Sequence, residues 1–146
     1  MLECRNLEKK YLGKIAVRDI SLSIGEGRVC ALLGPNGSGK TTWMKMVSGL
    51  IAPNAGTITF FGKPIGKETK KHIAYMSTEP FFYSYMTAKD VGKYYKDFFE
   101  DFDMEKYVNL VERLGLRMQD KAKTLSSGLA AKLKLAATLA RRASLY

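Results

Sequence analysis

Residues 2–7, 15–24, 57–61 and 73–76 are stretches rich in apolar positions and bounded by Gly, Pro or polar turns, which predicts strands there. A continuous apolar run over residues 28–33, Arg28-Val29-Cys30-Ala31-Leu32-Leu33, has the character of a buried strand. Beyond it Trp43, Met44, Met46, Val47, Leu50 and Ile51 recur at helical spacing, and Gly49 with the stretch 52–56 ends that helix in a turn. Residues 87–99 and 104–114 again show helical apolar spacing. Leu125-Ser126-Ser127-Gly128-Leu129 opens an Ala/Leu-rich helical stretch through Arg142, with Ser126 or Ser127 able to cap its first turn. The order is strands first, then a mainly helical block, with no internal repeat or low-complexity segment.

A chain of 146 residues, 46% hydrophobic, can bury one core of ordinary size. It contains no 18-residue apolar run and no charged-then-apolar leader, so the expectation is a soluble, single-domain, cytoplasmic protein. Cys4 and Cys30 lie in strand-like apolar surroundings without a pairing pattern and are expected to be buried thiols. His72 is the only histidine, and no cluster of His, Cys or carboxylates has zinc-site spacing. The net charge of +10 raises the possibility of a nucleic-acid or anionic-membrane partner. Its distribution points elsewhere: Lys121, Lys123, Lys132, Lys134, Arg141 and Arg142 follow Asp120 without a single acid. A basic end of this kind fits a chain whose acidic continuation is missing.

The sharpest chemical signal is Gly34-Pro35-Asn36-Gly37-Ser38-Gly39-Lys40-Thr41, which matches the phosphate-binding pattern G-x-x-x-x-G-K-S/T. A loop that wraps a polyphosphate turns successive backbone N–H groups inward, and glycines permit the backbone this requires. Lys40 can then reach the β- and γ-phosphate oxygens, the Thr41 hydroxyl is placed to ligate Mg²⁺, and the helix that begins here points its positive end at the anion. Strand, loop and helix follow in the required order. Ser126, Ser127 and Gly128 form a second helix mouth suited to phosphate, although a capped helix alone is usually only that.

A GPNGSGKTT loop followed some 85 residues later by an LSSG helix start resembles the ATP-binding subunits of ABC transporters, whose signature is LSGGQ. The resemblance covers the whole chain. It implies an α/β fold: a P-loop NTPase core with N-terminal antiparallel strands and an inserted helical subdomain, here incomplete. Within that one domain, residues 1–77 would be the core and antiparallel strands, 78–128 the Q-loop region and helical subdomain, and 129–146 the signature helix and the start of the next strand. It also implies that Tyr11 stacks on adenine, that Val17 and residues 34–42, through Thr42, hold the nucleotide, and that Ser126, Ser127 and Gly128 reach the nucleotide of an opposing subunit.

The sequence departs from that family in three places. Thr78 occupies the position of the Q-loop glutamine, with Glu79 after it; either Thr78 acts through water, or Glu79 takes the role, or coupling here is weak. Ser127 replaces the first glycine of the signature pair and Leu129 its glutamine, while Ser126 and Gly128 are kept. The Asp-Glu strand and later histidine of the family have no counterpart after Ala140-Arg141-Arg142-Ala143-Ser144-Leu145-Tyr146. The expectation is an N-terminal fragment of a longer ATPase, able to bind Mg-ATP and unable to hydrolyse it alone, with central strand edges uncovered.

By the same resemblance the partners are a second ATPase subunit, identical or homologous, arranged head to tail, and separate membrane permease subunits that would hold the protein at the inner face of the cell membrane. The aromatic cluster Phe81, Phe82, Tyr83 and Tyr85 would be either the surface receiving the permease or local core. The alternative is a soluble ABC-type ATPase acting on RNA or DNA, disfavoured by the single nucleotide-binding unit.

Overall fold

A computed structural model describes residues 1–79 and 82–146. The chain forms two compact units, Met1–Lys71 and His72–Tyr146. The first holds β1 (Leu2–Tyr11), β2 (Lys14–Ile24), α1 (Lys40–Val47), β3 (Ala55–Phe60), β4 (Lys63–Pro64) and the single turn α2 (Lys67–Lys70). The second holds α3 (Ala88–Phe98), α4 (Met104–Arg113), a short 3-10 turn at Ala122–Thr124, and α5 (Ser127–Leu139).

The strands form one antiparallel sheet in the order β2-β1-β3-β4. Leu12 and Gly13 close the β1–β2 hairpin, both with positive φ (42° and 81°), and Tyr11 pairs with Lys14 across it. This backbone suits the twist of a two-residue hairpin. The inward side chains of β1 are Leu2, Cys4 and Leu7, so the alternation slips by one residue after Cys4. The slip is a bulge: Asn6 takes φ 47°, its backbone N–H donates to Ser21 Oγ and its amide donates to Asp19 Oδ1, both at 2.8 Å. Gly56 passes so near that a Cβ would lie 2.4 Å from the carbonyl oxygens of Arg5 and Asn6. The core of this unit gathers Leu2, Cys4, Leu7, Val17, Ile58 and Phe60 from the sheet with Trp43, Met46 and Val47 from α1. Burial pushes the Cys4 thiol up to about 11.

Three expectations are corrected here. Residues 28–33 form no strand: Val29 and Leu33 are 102% and 88% exposed, and no described residue pairs with the run. A parallel strand depends on neighbours from distant sequence, and apolarity alone does not supply them. Cys30 lies in this run and is therefore exposed, not buried. Residues 73–76 are likewise no strand; Ile73 makes a single parallel bridge to Leu145, with the Ala74 N–H donating to Leu145 O at 2.8 Å.

In the second unit Ala88, Val91 and Tyr95 of α3, Tyr107 and Val111 of α4, and Leu133, Ala136, Ala137 and Ala140 at α5 share one core. Gly92 lets α3 approach α4, since a Cβ there would fall 2.5 Å from the Tyr107 ring. The Tyr107 hydroxyl donates to Ala88 O at 2.7 Å, and burial raises its pKa. Thr87 and Asp90 form a reciprocal cap at the start of α3, and Asp103 accepts from the Lys106 N–H at the start of α4. Arg141 pairs with Asp101 at 2.9 Å and its guanidinium lies 4.1 Å from the centre of the Phe99 ring. No helix among the described residues is long and apolar enough to cross a membrane.

Candidate nucleotide-binding site

The phosphate loop lies on the first unit, between β2 and α1. Gly34, Gly37 and Gly39 have φ of 156°, 83° and 88°. Gly39 is the N-cap of α1 and is pressed against β2: a Cβ would stand 2.2 Å from Ala16 O and 3.1 Å from Val17 Cγ2. The loop turns on itself through Ser38 N–H donating to Pro35 O at 3.3 Å. The Lys40 ammonium folds back over the loop and donates to Gly34 O and Pro35 O, each at 2.7 Å, and to Ser38 Oγ at 3.4 Å.

α1 begins with no side-chain cap and no acid in its first turn. Among the described residues no side chain caps its leading N–H groups and no acid in its first turn answers its positive end. Thr41 is exposed in that first turn and Thr42 half-buried, while Asn36 and Ser38 are exposed in the loop. Together these groups offer an anion several exposed donors and one side-chain cation. A triphosphate fits that chemistry, since its oxygens are stronger acceptors for Lys40 than the two neutral carbonyls it now holds.

Val17 is 3% exposed, and its burial beside Gly39 fixes where the loop meets the sheet. Tyr11 stands at the hairpin end of β1, 46% exposed, with the Lys9 ammonium 5.3 Å from its ring centre. Lys9 is itself fixed by donating to Ala52 O at 2.7 Å. A ring so exposed, backed by a fixed cation, offers one face for stacking.

The second unit carries the other candidate residues. Ser126 is the N-cap of α5 and accepts from the Leu129 N–H at 3.3 Å, so of the two serines it is Ser126 that caps and Ser127 that starts the helix. Beyond its own helix turn, no described residue has an atom within 4 Å of the place a Cβ on Gly128 would take, and its φ lies outside the left-handed region. Thr78 and Glu79 are exposed, with the Glu79 N–H donating to Ser77 Oγ at 3.1 Å. Of the aromatic cluster, Phe82 packs against the core of this unit, whereas Tyr83 and Tyr85 are exposed and stacked with centres 5.4 Å apart; Phe81 lies outside the described residues. Lys134, not anticipated from sequence, donates to Ser77 O and Thr78 O at 3.0 Å each. No signal in the chain joins residues 56 and 57 positions apart.

Comparison with known proteins gives these features a common context. The family described as ABC transporter matches residues 17–146. An uncharacterized ABC transporter ATP-binding protein of Bacillus subtilis, YdbJ, is 33% identical over 150 residues, covering 99% of this chain and 49% of that protein. The chain spans about half the length of the curated relatives it matches. The structure of a putative ABC transporter ATP-binding protein from Pyrococcus furiosus superposes with a TM-score of 0.86 at 29% identity, over 97% of this chain and 71% of that one. The dimeric structure of MJ0796, titled a bacterial ABC transporter cassette, superposes at 0.83 over 98% of this chain and 71% of that one; at 19% identity it speaks to the fold alone. A phosphate loop at an uncapped helix start, an LSSG helix mouth and a matching cassette fold agree with the family match, and the chain belongs to the ABC transporter family.

Proposed function

We propose that these residues form the nucleotide-binding part of an ABC transporter's ATP-binding subunit, taking Mg-ATP to drive solute movement through separate permease subunits. The observation that carries this reading is the Lys40 ammonium held at 2.7 Å from Gly34 O and Pro35 O at the mouth of an uncapped helix. On binding, Lys40 would exchange these carbonyls for phosphate oxygens, while the loop N–H groups of residues 34–42 hold the chain of phosphates and Thr41 offers its hydroxyl to the magnesium ion. Tyr11 would support the base, with Val17 shaping the wall behind the loop. The bound nucleotide supplies a transferable phosphoryl group, and this chain's part is to position it and balance its charge.

Ser126, Ser127 and Gly128 would meet the nucleotide of a second ATPase subunit arranged head to tail, a reading supported by the open space over Gly128. Residues 1–77, 78–128 and 129–146 then correspond to core, Q-loop with helical subdomain, and signature helix. No carboxylate at the loop is assigned to hydrolysis, since none lies in the first turn of α1. The role at position 78 falls to Thr78 through water or to Glu79. Exposed Tyr83 and Tyr85 would face the permease, which would place the protein at the inner face of the membrane.

The test is ATP binding and turnover measured side by side on residues 1–146 and on the natural protein that contains them. Binding by both, with turnover only in the longer form, is expected; turnover by residues 1–146 alone would overturn that expectation.

A further inference from the structure

We propose that Lys134 is a positioning residue that makes the Ser77–Glu79 segment and helix α5 move as one piece. The consequence for nucleotide handling rests on the function proposed above; the tether itself does not.

Lys134 lies seven residues beyond Ser127, about two helical turns into α5. Its neighbours Leu133, Ala136 and Ala137 are fully buried, so the helix is anchored along one flank. From the edge of that flank Lys134, a half-buried residue, donates through its ammonium to two consecutive carbonyls, Ser77 O and Thr78 O, at 3.0 Å each. A lysine serving only solubility keeps its head group in water. This one directs two of its three donors at the main chain on either side of position 78, and charge-assisted bonds of this kind are the stronger class.

The segment it holds is already turned by the Glu79 N–H on Ser77 Oγ. The side chain at 78 is short, so the segment is steered through its backbone and not through a long side chain reaching outward. An α-helix is stiff along its axis. A displacement of Ser126 and Gly128 at the start of α5 is therefore carried through two turns of helix to Lys134 and delivered to the carbonyls of Ser77 and Thr78. The tether would let contact at the LSSG mouth alter the segment at the Q-loop position of the same subunit.

The experiment uses the natural protein that contains these residues, with Lys134→Met, which keeps the stem and removes the donors, and Lys134→Arg, which keeps charge and donors. Hydrogen exchange at the amides of residues 76–79, without nucleotide, reads the tether. Lys134→Met should accelerate it about tenfold while Lys134→Arg stays within about twofold and the amides of α3 are unchanged in both. Steady-state turnover reads the positioning role: Lys134→Met should lower kcat about tenfold with the KM for ATP within about twofold, and Lys134→Arg should recover most of it. Unchanged exchange in Lys134→Met overturns the tether. Faster exchange with unchanged kcat overturns the positioning role. Should Lys134→Met not fold, Lys134→Gln is read against the same two criteria. A parent protein that binds no ATP would overturn the nucleotide reading and, with it, the positioning role, while the exchange result would still decide the tether.

Discussion

Gly39 and Ala16 touch: the Cα of the first and the carbonyl oxygen of the second leave no room for a methyl group, since a Cβ on Gly39 would stand 2.2 Å from Ala16 O. The contact seats the start of α1 on β2 and so sets where the phosphate loop opens. Gly39→Ala adds a backbone clash to a φ of 88° that L side chains rarely adopt. The first unit should lose about 2–4 kcal/mol in urea unfolding, and ATP binding should fall with it. A midpoint within experimental error of the parent would refute the contact.

Lys40→Ala should abolish measurable ATP binding, because it removes the side-chain cation that folds over the loop. Its ammonium is bonded to exposed loop carbonyls and supports no core, so the unfolding free energy should change by less than about 0.5 kcal/mol. Calorimetric titration showing ordinary micromolar affinity in the variant would contradict the phosphate-loop assignment.

Tyr11→Ala should weaken ATP by about threefold to tenfold and leave inorganic triphosphate within about twofold, since an exposed ring contributes through stacking on a base. Equal losses for the two ligands would remove Tyr11 from the site.

Asp90 accepts from the Thr87 hydroxyl at 2.6 Å and from its backbone N–H at 2.9 Å, and these bonds hold its carboxyl below the ordinary carboxylate range. A carboxylate with a lowered folded-state pKa contributes stability that is complete above the unfolded value of about 3.9 and is lost as pH falls through the folded value. The second unit should therefore weaken on acidification below about pH 4. Asp90→Asn should flatten that limb of a pH series of unfolding midpoints; an unchanged slope would show that the cap does not govern it.

Two glycines in helices should respond with opposite sign to alanine. At Gly92 the gain in helix propensity, about 1 kcal/mol, meets a Cβ only 2.5 Å from the Tyr107 ring and 3.2 Å from Met104 Sδ. Overpacking of about 1–3 kcal/mol outweighs that gain, so Gly92→Ala should destabilise. At Gly128 there is no such neighbour, and Gly128→Ala should stabilise by a few tenths to about 1 kcal/mol. Thermal unfolding of both variants with the same sign would refute the packing on one side or the other.

The place of the loop over residues 34–41 was legible because the eight residues of its pattern are consecutive and fold locally, ahead of α1. The helices α3 and α4 were legible within a residue or two because their caps, Thr87 and Asp103, and their apolar stripes are local signals. Residues 28–33 were misread since a run of apolar side chains states a preference for burial, whereas a strand needs a partner, and none of the described residues provides it. The β1 bulge hides in the same way, appearing in sequence only as the odd spacing between Cys4 and Leu7. The Ala16 contact of Gly39 and the Lys134 tether are pairings over distance, and a lysine in a helix gives no hint of which carbonyls it will find.

The open space over Gly128 separates two kinds of selection. A library randomised at that position and sorted only for folded protein should fill with alanine and other good helix formers, since glycine there has no positive φ and a Cβ would meet no described residue beyond its own helix turn. Sorted instead for a task that requires another surface to come close, the same library should return to glycine. What enriches at position 128 under each regime would show whether the reason for that residue resides in this molecule or in the one that faces it.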